Sequence, residues 1–380
     1  MTFSDSTYQS LSQLHAVCLK QNIPFASYRL PLESEITTLV QHQSLPERIV
    51  SLQGIDKKSG FVVAPFFETE KQGVYLLKPD NIFISNEIDA DYLLKLSSNN
   101  QFINIALPDE SEITSTLSED FIQQVNLAKE AMNEGQFNKV VLSRISLNDL
   151  QNGFNASAFY LKLCTLYPHA FVYMLQLPKV GVWIGATPEQ FLVIADGKIK
   201  TASLAGTQLA TEADIESYSW SEKEIEEQGI VTNFVDKSLK SLGIKNFSKK
   251  GPENYRAANL IHLKTSFEFE QSELENRLGD FINTMHPTPS VGGLPKQAAR
   301  DFILSNEKYN RAYYTGFLGP INLNDKSNLF VNLRCMQLFK KHFALYSGAG
   351  ITTSSVAEKE WEETNNKMKT LLNVMMTPNP

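Results

Sequence analysis

The 380-residue chain predicts an α+β fold built on largely antiparallel sheet. Three observations point there. Asp196-Gly197, a strong hairpin signal, joins the apolar run Phe191–Ala195 to Lys198–Ala202. Ala170–Leu177 and Gly181–Gly185 read as two strands joined by a turn containing Pro178. Long helical patterns, at Ser221–Leu242 and again after Ser355, stand among these hairpins.

Residues 1–118 read as an N-terminal α/β scaffold region. Short strand-like runs, Gly60–Phe67 and Gly73–Leu77, alternate there with polar loops, and no pattern suggests catalysis. The polar segment Ser111–Ser118 marks a boundary or a helix entry. From Glu119 the pattern tightens. Phe121, Val125, Ala128 and Ala131 make a helical stripe, and Gly135 stops it. Lys139–Ser143 reads as a strand, as do Leu329–Arg334 and His342–Tyr346, with Gly348–Ile351 as a loop beyond them. Ser355 is expected to open the last helix in a capping box with Glu358. Residues 119–380 form the second region, packed with the first as one unit. Repeats and low-complexity tracts are absent.

Hydrophobic content of 42% and charged content of 20% are those of a globular protein in water. A formal charge of −7 argues against nucleic acid as a partner. An anionic ligand therefore has to meet a local positive site, either lysines and arginines or a bound metal. Cys18, Cys164 and Cys335 lack metal-ligand spacing and make no disulfide framework, which fits a reducing cytoplasm. The start of the chain lacks signal-peptide character, and no apolar run is long enough to span a membrane.

Several residues carry potential chemistry. The loop His286-Pro-Thr-Pro-Ser-Val-Gly-Gly-Leu-Pro-Lys296 is stiffened by three prolines. A His and a Lys bracket its backbone amides, so it can line a site for a small anion. Glu224 and Glu227 share a helix face, Glu360 and Glu363 repeat the spacing, and Lys367 lies one turn further on. Such helices commonly present a solvated acidic face. Carboxylates on two helices also suit Mg²⁺, which takes one or two of them together with water and substrate oxygen. Lys139 lies in an apolar strand, either as an edge residue reaching water or as a buried amine usable as a base. Glu189 reads as a turn carboxylate, and desolvation would turn it into an acid. Arg334 suits either a structural ion pair or a bidentate carboxylate clamp. Gly206 would let backbone approach a ligand closely.

Five ordered motifs agree with one another. They are Phe137-Asn-Lys-Val-Val-Leu-Ser-Arg144, Gly185-Ala-Thr-Pro-Glu-Gln190, Ser203-Leu-Ala-Gly-Thr207, the His286–Lys296 loop, and Gly348-Ala-Gly-Ile351 followed by Glu360-Trp-Glu-Glu-Thr-Asn-Asn-Lys367. Together they resemble the chorismate-utilising enzymes, a group containing isochorismate synthase, salicylate synthase and the large subunits of anthranilate and aminodeoxychorismate synthases. The resemblance implies two sheet-and-helix halves with the active site between them. It implies Mg²⁺ on Glu227 and Glu363, supported by Glu224 and Glu360. Lys139 takes the position of the catalytic base and Glu189 that of the general acid. Leu204 in the Leu204-Ala205-Gly206-Thr207 segment corresponds to members that use water as nucleophile. Arg334, Tyr314, the Gly348, Ala349 and Gly350 amides and Lys367 would clamp carboxylates. His286 would orient substrate, with a loop-anchoring histidine as the alternative. Gln228 stands where many relatives have His.

The resemblance runs strongest to isochorismate synthase, which converts chorismate to isochorismate by water attack at C2 and loss of the C4 hydroxyl. Salicylate synthase, which adds pyruvate elimination, is the alternative, with an anthranilate or aminodeoxychorismate synthase large subunit ranked behind it. The Pro-Ile-Ala-Gly-Thr and His-Pro-Ser-Gly-Ala patterns of anthranilate synthases are absent. An obligatory glutaminase partner is therefore not expected. Menaquinone and catecholate siderophores both start from isochorismate, and the sequence does not separate them.

Overall fold

The computed structural model describes residues 4–85, 87–98, 113–209, 215–257, 260–274 and 276–376. Among these, two nine-stranded sheets dominate, and every strand pair within them is antiparallel. The first sheet runs, in spatial order, Gly293–Leu294, Lys139–Asp149, His342–Ile351, Cys335–Leu338, Gly181–Thr187, Phe171–Leu177, Phe25–Arg29, Thr37–Val40 and Asn81–Ile84. The second runs Phe247–Ala257, Leu260–Glu270, Lys198–Leu209, Gln190–Ala195, Ser327–Val331, Phe317–Ile321, Gly60–Ala64, Val74–Leu77 and Glu47–Ile49. The N-terminal strands thus extend both sheets at one end. Ser111 and Glu112 of the Ser111–Ser118 boundary segment lie outside the described residues, and Ser118 opens the helix that follows.

The two sheets pack face to face through one apolar cluster that draws Tyr28, Tyr173 and Trp183 from the first and Phe61, Leu318 and Phe330 from the second. Phe171 and Phe330 stack across the layers, with ring centroids 4.2 Å apart and planes 7° off parallel. Such a pair is worth about 0.5–1.5 kcal/mol beyond its burial. Helices cover the outer faces. Asp5–Gln21 and Ala156–Leu166 lie against the first sheet, and Glu222–Ser241 and Leu278–Met285 against the second. A fourth cluster joins Phe121, Val125 and Ala128 of the Ser118–Asn133 stripe to Val140, Leu142 and Ala349. Among the described residues, no helix is long and apolar enough to cross a membrane. Cys18, Cys164 and Cys335 are buried free thiols.

Local chemistry explains several elements. Asp196 (φ 53°) and Gly197 (φ 73°) both turn left-handed, as a two-residue hairpin requires. Ser221 caps the Glu222–Ser241 helix, with Glu224 completing a capping box.

Three expectations need correction. Gly348–Ile351 is not a loop. It continues the His342–Ile351 strand, with Gly348 opposite Ser143 and Gly350 opposite Val141. The strand expected at Leu329–Arg334 ends at Val331, and Arg334 adopts a left-handed backbone (φ 47°) that no strand accommodates. The last helix begins at Ala357 rather than Ser355, because the Ser355 amide bonds the Thr352 carbonyl in a turn.

One buried ion pair ties the Lys139–Asp149 strand to the Pro-rich loop. Glu307 Oε1 accepts from the Ser143 amide (2.7 Å), the Ser143 hydroxyl (2.9 Å) and Arg311 Nη2 (2.6 Å). Arg311 also donates to the Val141 and Val291 carbonyls at 2.6 and 2.9 Å. Breaking such a pair from one side strands a buried charge, at a cost of about 3–5 kcal/mol, whereas replacing both partners with apolar residues costs much less. Arg311→Met is therefore expected to destabilise the fold by about that amount, and Glu307→Leu combined with Arg311→Met by less. Denaturant unfolding of the two variants gives the order, and equal losses would contradict this reading.

Candidate active site

Two of the places where the chain crosses between the sheets each deliver a charged side chain. Thr187-Pro188-Glu189 links the Gly181–Thr187 strand to Gln190–Ala195. Asn332-Leu333-Arg334 links Ser327–Val331 to Cys335–Leu338. The Val331 amide bonds the Glu189 carbonyl (2.9 Å) and the Ala186 amide bonds the Arg334 carbonyl (3.0 Å), so the crossings brace each other. Glu189 and Arg334 meet in an inner cavity of about 60 Å³, together with Leu204, Ala205, Gly206, Thr207, Glu227, Tyr314, Gly348, Gly350, Glu363 and Lys367. Thr207, Glu363 and Lys367 also border an outer hollow of about 370 Å³. Ligand sites span about 300–1,000 Å³, so the inner cavity alone is too small for a substrate. A larger hollow of about 650 Å³, bounded by Lys179, Tyr309 and Tyr346, contains none of these residues.

The glycines make room. A Cβ on Gly350 would sit 2.5 Å from Glu227 Oε1, and one on Gly206 3.2 Å from the Trp220 ring. Gly206 also has φ 70°, at a bulge in the strand pairing. Strand alternation puts Gly348 and Gly350 on the cavity side and Ala349 in the core behind it. Ala349 therefore offers no side chain to a ligand. The Gly348 carbonyl accepts Lys367 Nζ at 2.8 Å.

Charge in the cleft is balanced pair by pair. Lys139 is fully buried, with Nζ 2.7 Å from Glu227 Oε1, and it lies behind the cavity wall rather than on it. Lys367 Nζ lies 2.6 Å from Glu363 Oε1. Lys223 Nζ lies 2.6 Å from Glu360 Oε1, and that carboxylate is buried. Burial alone would raise the Glu227 carboxyl, but Lys139, Lys367 and Lys223 together hold it below the ordinary carboxylate range. Burial dominates at Glu360 and pushes it up. Glu224 turns away from this group and caps its own helix, Oε2 accepting the Ser221 amide and hydroxyl at 2.8 Å each.

Glu189 behaves differently. It is buried, and desolvation lifts its carboxyl to about 7. A hydrogen bond from Ser290 and the charges of Lys139, Arg334 and Lys367 only partly offset that lift. The group is thus poised to give up a proton near neutral pH.

The donor set suits a hard cation. Glu227 and Glu363 project from two helices into one cavity, and Lys223 is close enough to feel both of them as well as Glu360. Among the described residues, no three acidic, imidazole or thiol groups gather around a single point. Mg²⁺ would therefore be held by Glu227 and Glu363 with water and ligand oxygen rather than in a closed protein cage.

The structure moves His286 out of the site. Its Nε2 bonds the Pro65 carbonyl (3.0 Å), its ring packs edge-on against Phe191 and Phe317, and burial lowers it to about 4. It anchors the loop as a neutral imidazole. Lys296, at the other end of the loop, donates to the Thr284 and His286 carbonyls at 2.9 and 2.7 Å, closing the preceding helix. From the middle of the loop, Ser290 and Val291 reach the cavity instead.

Sequence reasoning missed three residues. His262 lines the cavity, and burial lowers it to about 3, so the neutral ring donates Nδ1–H to the Gly206 carbonyl at 2.7 Å. It lies mid-strand, and no local motif marks it. Lys223 sits among glutamates that read as a solvated face. Ser290 reads as loop filler. Arg144, at the end of its motif, proves structural. It lies over the Trp361 ring at 3.9 Å and bonds Thr364 at 2.6 Å, fixing the helix that carries Glu363 and Lys367.

Comparison with known proteins fits this arrangement. The family model described as chorismate binding enzyme matches residues 61–376. Isochorismate synthase EntC of Escherichia coli (strain K12) is 27% identical over 333 residues, spanning 85% of this chain and 82% of that protein. Anthranilate synthase component 1 of Lactococcus lactis subsp. lactis (strain IL1403) is also 27% identical over 333 residues, spanning 82% of this chain and 71% of that one. The solved structure of MenF, the menaquinone-specific isochorismate synthase from Escherichia coli, shares the fold, with a TM-score of 0.76 at 20% identity over 99% of this chain and 92% of that one. With the two-sheet fold and the cleft between its sheets, the family match over residues 61–376 makes this chain a member of the chorismate-binding enzymes.

Proposed function

We propose that the protein is a Mg²⁺-dependent isochorismate synthase of the cytoplasm, acting on chorismate without a glutaminase. One observation carries the reading. Glu189, poised near neutrality, shares its cavity with Arg334 and Lys367 and stands close enough to buried Lys139 to feel its charge. An acid, a candidate base and a cationic lining are what water exchange on a small dianion requires.

In this mechanism, water oxygen bonds to C2 of chorismate, the ring double bonds shift, and the C4–oxygen bond breaks. Lys139 lies behind the cavity wall while it is paired with Glu227, and freed from that pair it takes the proton of the attacking water. Glu189 gives its proton to the departing hydroxyl, which leaves as water. A proton returns from Lys139 to Glu189 through solvent, so the net reaction is an isomerisation. Arg334 offers a bidentate fork to a carboxylate, with Tyr314 and Lys367 beside it. Bound Mg²⁺ would neutralise the substrate's ring carboxylate and compete with the lysines for Glu227 and Glu363. Leu204 on the cavity wall supports water rather than ammonia as the nucleophile, in keeping with its position in the Ser203–Thr207 motif.

Incubation of the pure protein with chorismate and Mg²⁺ tests the reading. Chromatography should show isochorismate forming without ammonia. Activity should vanish in excess EDTA and return with added Mg²⁺. Full activity in EDTA would overturn the metal, and a product made only with ammonia would overturn the function.

The acid role has a pH signature. Glu189 must be protonated to donate, so kcat/KM should fall as pH rises through about 7. Glu189→Gln should remove that falling limb and lower turnover by about 10²–10⁴-fold. A limb that persists in the variant would assign it to another group.

A further inference from the structure

The loop that brackets the cavity adds a device that the proposed reaction does not by itself require. Ser290 Oγ donates to Glu189 Oε1 at 2.6 Å, and Thr288 Oγ1 lies 2.6 Å from Ser290 Oγ. Ser290 has one hydroxyl proton, and Glu189 takes it. Thr288 is therefore the donor in the second contact, and the hydroxyls run one way, Thr288 to Ser290 to Glu189. The chain is held at every point. The Val291 and Gly292 amides both bond the Thr288 carbonyl, at 3.0 and 2.9 Å, closing a tight turn around Ser290. Arg311 fixes the Val291 carbonyl from behind, and Thr288 is buried. On the other side, the Val331 amide fixes the Glu189 backbone.

In a protonated carboxyl the carbonyl oxygen is the better acceptor, so a short hydroxyl hydrogen bond to one oxygen favours the acidic proton on the other. Given that Glu189 is the acid of the proposed reaction, we propose that Ser290, oriented by Thr288, is a positioning residue that makes Oε1 the accepting oxygen and keeps the transferable proton on Oε2. The charged groups felt at Glu189 come from three other elements: Lys139 on its strand, Arg334 at the second crossing and Lys367 on the last helix. All three favour the ionised carboxylate, and Ser290 adds to them. Ser290 alone among these contacts does so without charge, so removing it leaves the cleft's charge balance unchanged.

Ser290→Ala is the test, with Ser290→Thr as the conservative control. Infrared titration of the substrate-free protein reads the protonated carboxyl band of Glu189, assigned by its loss in Glu189→Gln. The Ser290 bond favours the ionised form, so its loss should move the titration midpoint up by about one pH unit. Ser290→Thr should bring it back. In the enzyme assay, the falling limb of kcat/KM should move up with the midpoint while kcat drops, because the proton is no longer confined to one oxygen. A merely structural role predicts lower thermal stability with the midpoint and the limb unmoved, and that result overturns the proposal. A midpoint that moves while the limb stays still overturns the acid role of Glu189, and with it the reaction assigned above, rather than the Ser290 contact.

Discussion

The buried Glu307–Arg311 pair is the constraint on which the site depends. Both side chains are almost fully excluded from water, and their charges are tolerable only because backbone and hydroxyl groups use them. Glu307 holds the Lys139–Asp149 strand through Ser143, and Arg311 holds the same strand at Val141 and the Pro-rich loop at Val291. The turn carrying Tyr314 starts from Arg311 itself, whose carbonyl accepts the Tyr314 amide at 2.9 Å. Strand, loop and turn thus share one anchor, which fixes where Lys139, Ser290 and Tyr314 stand relative to one another.

A second constraint is charge. The protein is acidic overall, yet its cleft has to receive a dianion. It meets that demand by pairing Glu227 and Glu363 with lysines and leaving Glu189 to desolvation. The outcome is two kinds of carboxylate in one cleft. Those beside lysines are the ones proposed above to share a cation, whereas burial of Glu189 favours its proton. The sheet crossings make this separation possible, because they carry Glu189 and Arg334 while Glu227 and Glu363 stand on two helices.

What the sequence makes legible is mostly local chemistry. The Ser221–Leu242 helix, the Asp196-Gly197 hairpin and the Phe121–Ala131 stripe each follow from a local pattern, and each matches the structure. The family motifs also brought most cavity residues together in advance. What stayed hidden depends on distant partners. Gly348–Ile351 reads as a loop because glycines punctuate it, but pairing with the Val140–Ser143 stretch makes it strand. His286 reads as a ligand residue until Pro65, more than two hundred positions earlier in the chain, accepts its ring nitrogen. His262 and Ser290 acquire their roles only from Gly206 and Glu189 across the sheet. Pairing of this kind has no signature in a window of sequence.

The central claim is that water, activated and received by this chain's own base and acid, replaces the C4 hydroxyl of chorismate with a new one at C2. The most direct measurement is the reaction run in water enriched in oxygen-18, with mass analysis of the product. The account predicts isochorismate carrying one labelled oxygen, in the C2 hydroxyl, with unreacted chorismate unlabelled at early times. Isochorismate without label, its hydroxyl having migrated within the substrate, would contradict it.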